Sequence, residues 1–182
     1  MNVFVLSTGR CGSMTFDRAC RHIRNFSSGH ETRVAELGAG RLAYPPDHIE
    51  SDNRLAWFLG RLDRAFPDEV FYVHLRRNPD AVARSYARRT RTGLIIPAWI
   101  HGVHLYQPEI SAESALAAAQ DYVATVNANI AQFLAGRDNA MGIDIETAGV
   151  DFPLFWERIG AQGDQQAALA EFSVSYNASG DC

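Results

Sequence analysis

The sequence predicts an α/β domain with a mainly parallel sheet covered by helices, and three observations carry that prediction. Strand-like and helix-like apolar patterns alternate along the chain, which is the order of βαβ units. A loop bearing two glycines, residues 7–13, joins the first apolar run to the first helical stripe. A buried-type strand run ends in Arg76-Arg77 and passes directly into the helix opening Asn78-Pro79.

Strand patterns fall at residues 3–6, 25–28, 49–51, 70–75 and 141–145. Phe16, Ala19, Cys20 and Ile23 stand at i, i+3, i+4 and i+7, so residues 14–24 present one apolar helical stripe. Leu55, Phe58, Leu59, Leu62 and Phe66 continue that spacing until Pro67 stops the helix. Asn78 as N-cap and Pro79 in the first turn open a helix running to about residue 90. Ser111 caps a long helix with Leu116, Ala119, Val123, Ile130 and Leu134 inward, ended by Gly136. Residues 93–108 are apolar without period and read as a loop or lid. Residues 152–172 add one or two short helices, and 176–182 are expected to fray.

With 182 residues, no repeat and no linker, the chain is expected to form one domain over 1–182. No apolar run approaches the roughly 18–20 residues of a membrane span. The apolar start, residues 1–6, is too short for a signal peptide and reads as a core strand. Cys11, Cys20 and Cys182 form neither an even disulfide framework nor a metal-ligand pair, which suits a reducing, cytoplasmic setting. The net charge of −4 argues against a general nucleic-acid binder. All 17 basic residues are arginine, so chemistry that needs a lysine amine, including the phosphate-reaching lysine of a Walker A loop, is excluded.

The first loop reads Ser7-Thr8-Gly9-Arg10-Cys11-Gly12-Ser13-Met14-Thr15. Glycines let its backbone turn tightly, and the positive end of the following helix favours an anion. Arg10 adds a planar cationic fork, and Ser13 and Thr15 add hydroxyl donors. A plain βα turn with an exposed arginine would show the same local pattern. After the second strand comes Gly29-His30-Glu31-Thr32-Arg33. Ligands of an open parallel sheet collect beyond the carboxyl ends of its strands, so Glu31 belongs near the Arg10 loop. A carboxylate beside an anion site suits a proton acceptor rather than an anion ligand, and His30 is the alternative base. On the helix after Asn78, Ser85 and Arg89 share a face one turn apart, and Arg77 at its entrance can converge with Ser85 on one anion. Arg84, Arg88 and Arg91 point elsewhere and read as a solvated face.

Taken together these motifs resemble sulfotransferases that use 3′-phosphoadenosine 5′-phosphosulfate (PAPS), with the nearest likeness to tyrosylprotein and bacterial members. The string Gly9–Met14 resembles their 5′-phosphosulfate loop, and Gly29–Arg33 resembles a Gly-Glu-Glu-Thr-Arg segment whose second glutamate is the base. Leu75-Arg76-Arg77-Asn78-Pro79, with Ser85 eight residues after Arg77, resembles their 3′-phosphate signature, and Arg89 matches a further arginine of some members. The resemblance implies a three-layer, P-loop nucleotide-hydrolase-like fold of the sulfotransferase type. It implies PAPS as co-substrate and no metal. Gly9, Arg10, Cys11, Gly12, Ser13 and Met14 would hold the 5′-phosphate, and Arg77, Ser85 and Arg89 the 3′-phosphate. Glu31 would be the base, with Arg10 and Arg54 stabilising the sulfuryl group and leaving oxygen. The acceptor would be a hydroxyl on a small molecule, glycan, lipid or peptide. Trp99, His101, His104, Leu105 and Tyr106 would line its pocket, form a lid or pack in the core.

The pattern departs from the family at two places. No lysine stands in the first loop or after the third strand, where Glu50-Ser51-Asp52-Asn53-Arg54 offers Asn53 and Arg54 instead. The usual C-terminal Arg-Lys-Gly segment is absent. A non-catalytic nucleotide-binding domain and a P-loop-type small-molecule kinase are the competing expectations.

Overall fold

The computed structural model describes residues 1–90, 92–105 and 111–174. Expectations for Arg91, Tyr106, the end of the 93–108 segment and residues 176–182 lie outside the described residues. Five strands, β1 (Asn2–Leu6), β2 (Ser27–His30), β3 (His48–Ser51), β4 (Val70–Arg76) and β5 (Ala140–Asp144), form one sheet in the order β2-β3-β1-β4-β5. Every pairing is parallel. The central strands β1 and β4 are near-continuous apolar runs because helices cover both faces. Their register pairs Leu6 with His74, His30 with Ser51 and Arg76 with Asp144. The carboxyl ends of all five strands therefore reach one edge of the sheet.

The helices are α1 (Ser13–Cys20), α2 (Leu59–Ala65), α3 (Pro79–Ala87), α4 (Ile95–Ala98), α5 (Ala112–Leu134), α6 (Ala148–Arg158) and α7 (Gln165–Ala170). On one face Phe16 of α1 meets Phe152 and Phe155 of α6 at 5.6 and 5.3 Å, and Phe71 of β4 reaches Phe155 at 6.3 Å. On the other face Phe4 meets Phe66 at 4.7 Å, and Tyr72 meets Phe133 of α5 edge-on at 5.2 Å. The chain thus leaves β1 toward one face, through α1, and reaches β5 from β4 through α5 on the opposite face. Two adjacent strands with oppositely directed connections open a crevice between their carboxyl ends, where ligands of such sheets bind. Among the described residues no helix is long and apolar enough to cross a membrane.

Three expectations are corrected in detail. The first helix ends at Cys20 instead of 24, because Ile23 pairs with Gly163 and the Arg24 amide donates to the Gln162 carbonyl at 2.6 Å. The helix expected from Leu55 is split at Phe58. A 3-10 turn over Asn53–Trp57 precedes α2, wound tightly because the Asp52 carboxylate accepts from the Arg54 amide at 2.8 Å. The lid segment is helical over 95–103, α4 followed by a π turn over Trp99–Val103. Trp99 anchors it: its indole donates to Asp121 at 2.9 Å and its ring packs edge-on against Tyr122 at 5.6 Å.

Candidate functional site

A cavity of about 600 Å³ opens at the carboxyl edge of the sheet, within the volume range of ligand sites. Its floor is the β1–α1 loop. Gly9, Arg10 and Gly12 all adopt left-handed backbone, with φ of 83°, 59° and 80°. Three such residues in four positions give the tight, concave turn that anion sites use. Left-handed backbone at a non-glycine costs about 1–2 kcal/mol, so Arg10 is held there by its surroundings. Gly12 is also the N-cap of α1, and no side chain caps that helix. Its first turn, Ser13, Met14 and Thr15, lines the cavity at the positive end of the helix.

Gly9 is required by both φ and space. A Cβ there would collide with Tyr86 Oη and come within 3.0 Å of Asn53 Nδ2. Tyr86 Oη and Tyr122 Oη donate to the Thr8 carbonyl at 2.7 and 2.9 Å, pinning the loop from α3 and α5. Gly9→Ala is therefore expected to destabilise the protein by about 2–4 kcal/mol, the sum of left-handed strain and a displaced tyrosine hydrogen bond. Urea unfolding measures this, and a loss below ~0.5 kcal/mol would show that the loop relaxes freely.

Arg10, Arg77 and Arg89 border the same cavity. Arg10 Nε donates to Ser85 Oγ at 3.1 Å, and Arg77 Nη1 donates to the Arg10 carbonyl at 3.3 Å. Burial pushes the Arg10 guanidinium below its ordinary pKa, and the charges of Arg89 and Arg77 push the same way. Three cations in one partly desolvated pocket repel one another, and a bound polyanion would relieve that repulsion. Arg76 takes no part, since it forks onto Asp144 at 3.0 and 2.8 Å.

On the opposite rim, Glu31 Oε1 lies 2.8 Å from Arg54 Nη1. The Nη1 atom is not aligned for a hydrogen bond, so charge rather than a directed bond holds this pair. Its scaffold comes from β3. Buried Glu50 accepts from the Thr32 amide at 2.8 Å, the Thr32 hydroxyl at 2.6 Å and pairs with His48 at 2.9 Å. Burial alone would raise the Glu50 carboxyl, but these bonds from His48 and Thr32 outweigh it and hold the group below its usual range. Clamping Thr32 keeps Glu31 in left-handed backbone, φ 54°. Buried Asp52, paired with buried Arg41, fixes Arg54 from the other side. His30 Nε2 and Ser13 Oγ are 2.9 Å apart, which ties the end of β2 to the first turn of α1.

Of the residues expected from sequence, Gly9, Arg10, Gly12, Ser13, Met14, Glu31, Arg54, Arg77 and Arg89 all line this one cavity. Two differ. Cys11 is buried, its thiol within 3.1 Å of Thr8 Oγ1 and 3.3 Å of the Gly9 carbonyl, so its side chain belongs to the core. Ser85 is buried against Arg10 and orients that guanidinium instead of lining the cavity beside Arg77. In the lid segment it is residues 93–97 that line the cavity. Trp99 is core packing, His104 pairs with Asp121 at 3.1 Å, and Leu105 is exposed. Sequence reasoning missed Tyr86 as a wall residue, Ile145 after β5 and the distant Phe172–Val174. The tyrosine was legible three residues before Arg89, on the same helix face; the last two carry no local signal.

The fold and site define an α/β protein with a single five-stranded parallel sheet, flanked by helices, and a cationic cavity at its strand ends. Comparison with family models, with curated proteins and with solved structures finds no match for this chain.

Proposed function

We propose that this protein moves a sulfuryl group from PAPS to a hydroxyl acceptor. One observation carries the reading: arginines from two separate strand ends, Arg10 after β1 and Arg77 after β4, border a single cavity that also holds Glu31. A ligand with anionic groups at both ends, such as a bis-phosphorylated adenosine, matches that distribution. Ser13 and the backbone of the β1–α1 loop would hold the 5′-phosphate, and Arg77 with Arg89 the 3′-phosphate. Ser85 contributes by holding the Arg10 guanidinium at the cavity through Nε. Ile145, beside Gly12, and Phe172 offer apolar contact to the adenine.

In the reaction the acceptor oxygen bonds to sulfur as the bond from sulfur to the phosphate oxygen breaks. Glu31 takes the acceptor proton, and adenosine 3′,5′-bisphosphate leaves. Arg10 and Arg54 meet the negative charge on the sulfuryl and leaving oxygens, so positioning and electrostatics supply most of the acceleration. Arg54 must turn from Glu31 toward the sulfuryl group, which frees the carboxylate at the moment a base is needed.

The same Glu31–Arg54 ion pair favours a second reading, a binding domain whose carboxylate serves only to neutralise Arg54. A kinase is disfavoured by the absence of lysine. Calorimetric titration with adenosine 3′,5′-bisphosphate and then with ATP tests the ligand. Affinity for the bisphosphate should be at least about tenfold higher, ~1.4 kcal/mol. Equal or tighter ATP binding would overturn the proposal.

A further inference from the structure

We infer that the accepted hydroxyl is carried on an apolar body, an aromatic ring or alkyl chain, and not on a polyol; this rests on the sulfuryl-transfer reading. Leu94, Ile95, Ile96 and Pro97 form one wall of the cavity, and none of their side chains carries a polar atom. The wall is anchored at Ile96, 2% exposed, and rises to a rim at Leu94, 82% exposed.

Its placement assigns it to the acceptor end. One turn beyond the wall, Trp99 packs against Trp57 at 6.0 Å. Trp57 closes the 3-10 turn Asn53–Trp57, and that same turn carries Arg54 to Glu31. Wall and carboxylate are thus linked by side-chain contacts through the one turn Asn53–Trp57. Of the other apolar side chains that line the cavity, Ile145 stands against Gly12 and Phe172 packs on Phe16 of α1 and Phe152 of α6.

A sugar lying on Leu94–Pro97 would find no hydrogen-bond partner in those four side chains, and polar groups left unpaired against them are costly to bury. A ring or chain gains by covering the same surface. Glu31 then needs to meet a single hydroxyl, presented at the polar edge of an otherwise apolar molecule.

The test titrates 2-naphthol and methyl β-glucoside into protein saturated with adenosine 3′,5′-bisphosphate, by calorimetry. Naphthol should bind at least about tenfold tighter than the glucoside. Leu94→Asp, at an exposed position that does not threaten folding, should weaken naphthol about tenfold and leave bisphosphate affinity within about twofold. Ile95→Ser should do the same by shortening the wall. Equal binding of the glucoside, or unchanged naphthol affinity in both variants, overturns the inference while the sulfuryl-transfer reading stands. Weakened bisphosphate binding in Leu94→Asp also overturns it, because the wall would then belong to the nucleotide. Failure of the unsubstituted protein to bind bisphosphate removes the underlying reading first.

Discussion

Glu31→Gln is expected to lower sulfuryl transfer from PAPS by about 100- to 10,000-fold, the range for loss of a positioned general base. Glutamine keeps the size of the side chain but can neither take a proton nor balance the charge of Arg54, 2.8 Å away. Binding of adenosine 3′,5′-bisphosphate should be unchanged or modestly stronger, since a negative charge leaves the rim of an anion site. That combination separates chemistry from affinity. Initial rates with labelled PAPS, paired with calorimetry on the same sample, measure both. Unchanged transfer would remove Glu31 from the reaction; the absence of transfer in the unsubstituted protein would favour the binding-domain reading.

Replacing both Arg10 and Arg77 with alanine should weaken bisphosphate binding by roughly 100- to 10,000-fold. Each guanidinium supplies charge-assisted hydrogen bonds worth about 1.5–3 kcal/mol. Arg77→Ala alone should lose about 10- to 150-fold, because it leaves Arg10 held by Ser85. The pair touches through the Arg10 carbonyl, so the two losses need not add. Thermal stability should change little in Arg77→Ala, since the lost bond to the Arg10 carbonyl is offset by relief of like charge beside Arg10. An affinity loss without a Tm loss marks a binding role; a parallel fall in both would mark a structural one. Bisphosphate affinity unchanged in the double variant would sink the anion site itself.

Much of the fold was legible because burial imposes period. The apolar runs of β1 and β4 and the stripe of Phe16, Ala19 and Cys20 are local consequences of being covered on both faces or on one. The β1–α1 loop was legible for a related reason: glycines at 9 and 12 mark backbone that other residues adopt only with strain. Arg77 at a helix entrance marked by Asn78-Pro79 was equally local, and Asn78 does cap α3 onto the Ala81 amide at 3.0 Å. Where tertiary contacts compete with local pattern, the reading failed. Ile23 left its helix to pair with Gly163, and residues 95–103 became helical where Trp99 packs on Tyr122 and Trp57.

By itself the sequence determined an alternating α/β chain, an anion-seeking loop after the first strand and a second arginine cluster after a later one. Only the tertiary structure decided that the two clusters share one cavity, that Ser85 serves Arg10, and that Glu31 stands against Arg54. The reason is physical. Period and turn chemistry act over one or two helical turns, whereas strand order β2-β3-β1-β4-β5 is set by how five strands pack between two helical layers. That order brings residues 10, 31, 54 and 77 to a common edge, and Phe172 joins them by packing on Phe16 of α1 and Phe152 of α6.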